Sequence, residues 1–485
     1  MHAFGQKWVL AGVLCSSLGC WAQTPSGSSG GTALPEAVVS AIAPVSASPS
    51  LAPVEPAVAL VAPVVPVAAV VLTKPGMVAQ DSINGADTAW MMTSTALVLL
   101  MTLPGIALFY GGMVRKKSVI NAMACTVAIA ALVSLLWFAV GYSIAFTPNN
   151  AWMGGSDRLW FHGLDYMKEA GKLAVSHIAP NVPESVYAMF QLTFAIITPA
   201  LIVGAFVERM RFSAMLWFIG LWSVLVYAPI AHWVWEPSGW LAGMGVLDFA
   251  GGSVVHINAG VSGLVCAYFL GPRVGYGREA FEPFNLGLTM AGAGLLWVGW
   301  FGFNAGSAVA SDGRAGLAMA VTHIAAAAGA LSWMLGEWLI RRQPSLLGLC
   351  SGLVAGLVAI TPAAGFVTPR SALLIGAVAG LVCYWGATGL KRMLNADDSL
   401  DVFGVHGIGG IVGSLMTGLL ASKTISGVTG SFMTQLMGVA VVMLYSAVMS
   451  AVLLWVIKAV IGLRVDEQAE REGLDISEHR ERIGT

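Results

Sequence analysis

Asp248-Phe-Ala-Gly-Gly-Ser-Val-Val-His256-Ile-Asn-Ala-Gly260 and Asp401-Val-Phe-Gly-Val-His406-Gly-Ile-Gly-Gly410 each set a histidine inside an apolar stretch. Ionisable side chains at membrane depth are costly and mark solute or proton paths. Each histidine follows an aspartate and precedes closely spaced glycines, so the two segments read as copies. Aligning the histidines superposes Gly260 on Gly410 and Gly263 on Gly413. Inverted halves bring such segments together near the bilayer midplane, and small residues let the two helices approach. The pairing predicts a transporter for a small, protonatable solute.

Working outward, the composition sets the class. Of 485 residues, 57% are hydrophobic and 10% charged, with 58 glycines and 17 tryptophans. A soluble domain carries about 25% charged residues, so the expectation is an all-α polytopic membrane protein. The formal net charge of −1 gives no footprint for nucleic acid. Cys125, Cys266, Cys350 and Cys383 lie in or beside apolar spans, without disulfide or metal-ligand spacing. No metal, cofactor or enzymatic constellation is expected.

Eleven apolar spans are predicted, at roughly 88–110, 120–146, 185–207, 212–235, 252–270, 284–306, 314–340, 346–362, 371–390, 402–420 and 434–462. Loops after odd-numbered spans hold Arg115, Lys116, Lys117, Arg209, Arg211, Arg273, Arg278, Arg341, Arg342, Lys391 and Arg392. The opposite loops, though longer, hold only Arg158, Lys168, Lys172, Arg314, Arg370 and Lys423. The positive-inside rule then puts the start of the first span outside and the C-terminus in the cytoplasm. Spans 1–5 and 6–10 become two inverted five-helix repeats, with a final helix left over. His256 and His406 fall on the fifth helix of each.

The domain reading follows. Lys7, the apolar run Trp8–Leu18 and small residues ending at Ala22 form a secretory signal peptide over 1–22. Residues 23–84 read as a Pro/Ala/Val-rich extracytoplasmic leader, disordered and of no derivable function. Residues 85–462 form the membrane domain and 463–485 a cytoplasmic regulatory tail.

Pro104-Gly-Ile-Ala-Leu-Phe-Tyr110-Gly-Gly, Val203-Gly-Ala-Phe-Val-Glu-Arg-Met-Arg-Phe-Ser213, Gly299-Trp-Phe-Gly-Phe-Asn-Ala-Gly-Ser307 and the two histidine blocks together resemble the ammonium transporter (Amt/Mep/Rh) family, in its Amt branch. The resemblance covers about residues 85 to 479. It implies an outer ammonium site at Phe190, Phe194, Trp235 and Ser307, and a gate of stacked rings at Phe194 and Phe303. It makes His256 and His406 the pore histidines, and gives Asp248 a structural role or a part in deprotonation. Phe109, Tyr110 and Trp300 match positions near or along the pore, with helix packing the competing reading. It further implies a homotrimer in a bacterial inner membrane, with a trimeric PII signal protein as partner on the cytoplasmic face.

The chemistry can be argued alongside. A bare ammonium ion cannot cross a dry apolar pore cheaply, and aromatic faces attract cations by roughly 0.5–2 kcal/mol per ring. Adjacent imidazoles cannot both be charged cheaply, so at least one stays neutral and able to accept a proton. The same aromatics also suit an interfacial belt.

Other positions carry smaller expectations. Asp401 reads as the cap of the His406 helix. Glu337 pairs with Arg341 four residues on, and His323 and His232 read as structural. Glu236-Pro237 after Trp235 departs from the family pattern, and the carboxylate there either draws cations or faces solvent. Three functions remain: ammonium transporter, ammonium sensor signalling through the tail, and general cation channel. The last would line its pore with carboxylates or carbonyls rather than aromatic, aliphatic and imidazole groups.

Overall fold

In lipid every backbone N–H and C=O must be paired internally, which leaves long apolar stretches no option but helix. The computed structural model describes residues 72–484, and the signal peptide and most of the leader lie outside them. Ten helices are long and apolar enough to cross a membrane. They are α1 (Gly85–Met113), α2 (Lys116–Phe146), α3 (Glu184–Val203), α4 (Phe212–Gly243), α5 (Gly252–Leu270), α6 (Leu286–Gly306), α7 (Gly313–Arg341), α9 (Pro369–Met393), α10 (Phe403–Leu420) and α11 (Phe432–Val460). The remaining expected span is α8, Leu346–Ile360, a shorter apolar helix. At about 1.5 Å per residue it covers less than the roughly 30 Å of a hydrocarbon core.

Several of the helices contain a π turn. In α4 it runs Ser223–Tyr227 and in α9 Gly386–Leu390; α5 opens on Gly252–Ile257 and α10 on Phe403–Gly407. Helices α4 and α9, and helices α5 and α10, therefore share the same irregularity. Helices α3 and α8 share another, since each ends in a run of turns at 204–209 and 361–366.

Glycines settle how α5 and α10 meet. A Cβ on Gly260 would fall 2.3 Å from the Gly407 nitrogen, and one on Gly410 would fall 2.8 Å from the Gly252 carbonyl oxygen. Gly263 likewise faces Ala205, and Gly413 faces the Ala359 backbone. The contacts are reciprocal, and only small residues permit backbones so close.

The leader's last residues depart from expectation. Gly76–Ala79 form strand β1, antiparallel to β3 (Lys172–Val175), which also pairs with β2 (Tyr166–Met167). Backbone pairing with the 147–183 loop orders a segment whose composition alone predicts none, and Asn84 then caps α1 through the Ala86 and Asp87 amides.

At the opposite face the tail is docked. Lys117 donates to the Glu470 and Arg471 carbonyls, the Asn121 amide donates to Asp475, and His479 Nε2 lies 2.9 Å from Asn121 Oδ1. Glu470 also takes Arg464 and the Val274 amide. Helix ends whose groups would otherwise need water find partners in the tail.

Candidate functional site

A column of side chains runs through the crossing of α5 and α10. At one end is a cavity of about 150 Å³ lined by Ile178, Tyr187, Gln191, Phe194, Trp235, Phe249, Ser307 and Val309. Trp235 enters at the end of the regular helical stretch of α4, held by its indole N–H donating to the Asp248 carbonyl at 2.9 Å. Its ring meets Phe194 edge-on at 5.6 Å between centroids. The Ser307 hydroxyl donates to the Phe303 carbonyl at 2.8 Å, which leaves its oxygen lone pairs free to accept. Phe190 is not part of the lining. It is fully buried, 5.0 Å edge-on from Phe194, so it braces that ring from behind.

Below the cavity, Phe194 and Phe303 lie 4.4 Å apart and close the floor. Phe303 in turn lies over His256 at 6.0 Å. His256 and His406 stack at 5.4 Å, with Nδ1 to Nδ1 at 3.3 Å. A hydrogen bond between these nitrogens has one defined consequence for neutral rings. The ring that donates from Nδ1 keeps a bare Nε2, and the ring that accepts carries its proton on Nε2. The pair so presents one donor and one acceptor, and His256 Nε2 is buried with no protein partner. Trp300 stacks on His256 at 5.4 Å and is pinned by its N–H to Thr361.

Past the histidines, Phe109, Tyr110, Leu400, Asp401, Val405 and His406 are among the residues around a second, narrow pocket. Tyr110 is not free there, because its hydroxyl donates to the Leu201 carbonyl. The expected pore positions Phe109, Tyr110 and Trp300 therefore all lie along the column.

Asp248 frames the column without facing it. Its Oδ1 accepts from the Gly251 and Gly252 amides at 2.7 Å, and its Oδ2 from Ser253 at 2.8 Å and Val254 at 3.1 Å. Burial pushes this carboxyl up from its ordinary value while the four amides pull against the shift. Gly251, at φ 119°, makes the bend these contacts require.

The expected mate of Asp248 was misplaced. Asp401 has φ 58° and pairs with Lys391 at 2.7 Å. Asp398 caps α10 instead, its Oδ2 accepting from the Phe403 amide at 2.7 Å. Asp398 precedes His406 by the same eight residues that separate Asp248 from His256, and that spacing was the available signal.

One other expectation changes. Glu236 neither faces solvent nor stands free at the mouth; it is buried and paired with His177 at 2.9 Å. Contacts with the 147–183 loop, far off in sequence, cover it. His232 joins the same loop at the Asn150 carbonyl and the end of α2 at the Ala145 carbonyl. Glu337 does pair with Arg341, and among the described residues no cluster suits a metal ion.

Residues 89–483 match the model of the Ammonium Transporter Family. An ammonium transporter of Aquifex aeolicus is 47% identical over 412 residues, covering 83% of this chain and 94% of that one. The crystal structure of Candida albicans Mep2 superposes with a TM-score of 0.74 at 34% identity, over 80% of this chain and 88% of that one. A structure described as a sensor Amt protein superposes with a TM-score of 0.75 at 28% identity, over 81% and 98%.

Proposed function

The chain belongs to the Ammonium Transporter Family, and from that premise we propose that it recruits ammonium in the aromatic cavity and passes ammonia between the two histidines. The observation that carries this reading is the continuous order of cavity, Phe194–Phe303 floor and His256–His406 pair. Trp235 and Phe194 offer ring faces and Ser307 offers lone pairs, a set suited to a small cation with N–H donors. The apolar floor disfavours the charged form, so the ion gives up its proton before passing. Ammonia both donates and accepts, and the histidine pair offers one group of each kind. Whether the proton follows by a separate route decides whether transport carries current.

The membrane reading is proposed with it. Helix α8 crosses too and brings the spans to eleven, supported by its match to α3 in the shared run of turns. The halves are then inverted five-helix repeats, N-terminus outside and C-terminus in the cytoplasm, in a bacterial inner membrane after signal-peptide removal. A homotrimer is supported by His323, which is exposed near the middle of α7 beside Trp297 at 5.0 Å; a polar ring at that depth calls for protein cover. The docked tail offers a face for a PII-type regulator.

Proteoliposome recordings test the core of this proposal. An ammonium-evoked, saturable current that potassium does not evoke, altered in His256→Ala, supports proton-coupled passage. A flux of ammonia without current supports electroneutral conduction through the same column. Binding with neither current nor flux supports the sensor reading, which the likeness to a sensor Amt protein keeps in play.

A further inference from the structure

The aromatic cavity is walled by two segments from distant parts of the chain. One is the loop after β3, which contributes Ile178; the other is α4, which contributes Trp235. The residue before Ile178 and the residue after Trp235 meet. His177 Nε2 lies 2.9 Å from Glu236 Oε1, and the two side chains are 4% and 1% exposed. The second carboxylate oxygen of Glu236 is also committed, to the Ser238 amide at 2.6 Å and the Ser238 hydroxyl. On the loop side, β3 is itself fixed by the β1 ladder, whose register runs from Gly76 opposite Val175 to Ala79 opposite Lys172.

We propose that the buried His177–Glu236 pair is a positioning clamp that sets the width of the ammonium cavity and so its discrimination between ammonium and methylated ammonium. The inference rests on the recruitment role given to that cavity above. Three features support a clamp over a charge that attracts cations. The carboxylate is enclosed, both its oxygens are already used, and it is not among the residues that line the cavity. Two segments joined at adjacent backbone positions cannot drift apart without breaking the pair. A charge-assisted hydrogen bond that is buried is stronger than its exposed counterpart, and removing one partner strands the other. Of the titratable groups around the pair, His232 is held by the Ala145 and Asn150 carbonyls, Tyr187 lies in the cavity wall, and Glu184, at the start of α3, is held by Arg158 and the Tyr142 hydroxyl.

Saturable uptake of ammonium and methylammonium into proteoliposomes, for His177→Leu, Glu236→Gln, His177→Gln and the double variant, tests the clamp. His177→Leu and Glu236→Gln are expected to raise the ammonium KM by about 10-fold or more, the loss of a hydrogen bond to a charged group, with Vmax within about twofold. Both should narrow the preference for ammonium, and the double variant should add nothing further. His177→Gln keeps an N–H near the Nε2 position and should restore wild-type values. If Glu236→Gln raises KM while His177→Leu lowers it, the carboxylate attracts by charge and the clamp is overturned. Equal values for all variants overturn it too. Amide hydrogen exchange over residues 176–183 reads the clamp without transport. Protection lost in His177→Leu and kept in His177→Gln supports it even if wild type carries no ammonium, and unchanged protection refutes it.

Discussion

The His256 and His406 helices share a frame and differ in their surroundings. Both open on a π turn, both carry an aspartate eight residues before the histidine, and both cross the other at a glycine. Yet Asp248 fills its two oxygens with four amides, whereas Asp398 caps with Oδ2 and leaves Oδ1 without a partner. His256 lies against Phe303 and Trp300, while His406 borders the second pocket beside Asp401. The repeat supplies backbone geometry, and the side chains that break the symmetry give the column two unlike ends.

The sharpest way to break the comparison is at the histidines. Alanine at either one removes the only hydrogen-bond partner its mate has at Nδ1, and ammonium conduction should fall at least tenfold or lose selectivity over potassium. Equal effects at both would show that the pair acts as a unit; flux assays on the two variants settle it. Next are the crossings. Gly260→Ala forces a Cβ into backbone and should cost roughly 2–5 kcal/mol, a severe overpacking defect. Gly410→Ala, with contacts a few tenths of an ångström longer, should cost less, read as lowered unfolding temperature in detergent.

The aspartates sharpen the contrast. Asp248→Asn replaces an accepting oxygen by an NH2 group facing two amides, so about 2–3 kcal/mol should be lost. Asp398→Asn can still cap and should cost about 1 kcal/mol or less. The same contrast can be read in pH. Burial raises the Asp398 carboxyl from 3.8 to about 6, so the folded protein holds this proton where the unfolded chain has released it. Its contribution is therefore full below about pH 4 and is lost as pH rises through about 6. Unfolding temperatures of Asp398→Asn should lack that part of the wild-type slope.

The spans were legible because hydropathy is a local property and each long apolar stretch needs only itself to satisfy its backbone. The histidine pair was legible because a repeat leaves two similar strings. Asp398 was legible only through spacing, and proximity to His406 favoured Asp401 instead. Phe190 carried no sign that it stands behind Phe194, since two rings four residues apart on a helix both read as site residues.

Sequence by itself determined the helical membrane class, the positions of ten long helices, the resemblance to the ammonium transporter family and the two histidines. Only the tertiary structure decided what each polar group faces. It put Glu236 under His177, tied the leader's end to β3, docked the tail and seated Asp398 on α10. Helix position follows from neighbours in sequence, but burial and pairing of a side chain depend on segments tens to hundreds of residues away, which no local pattern encodes.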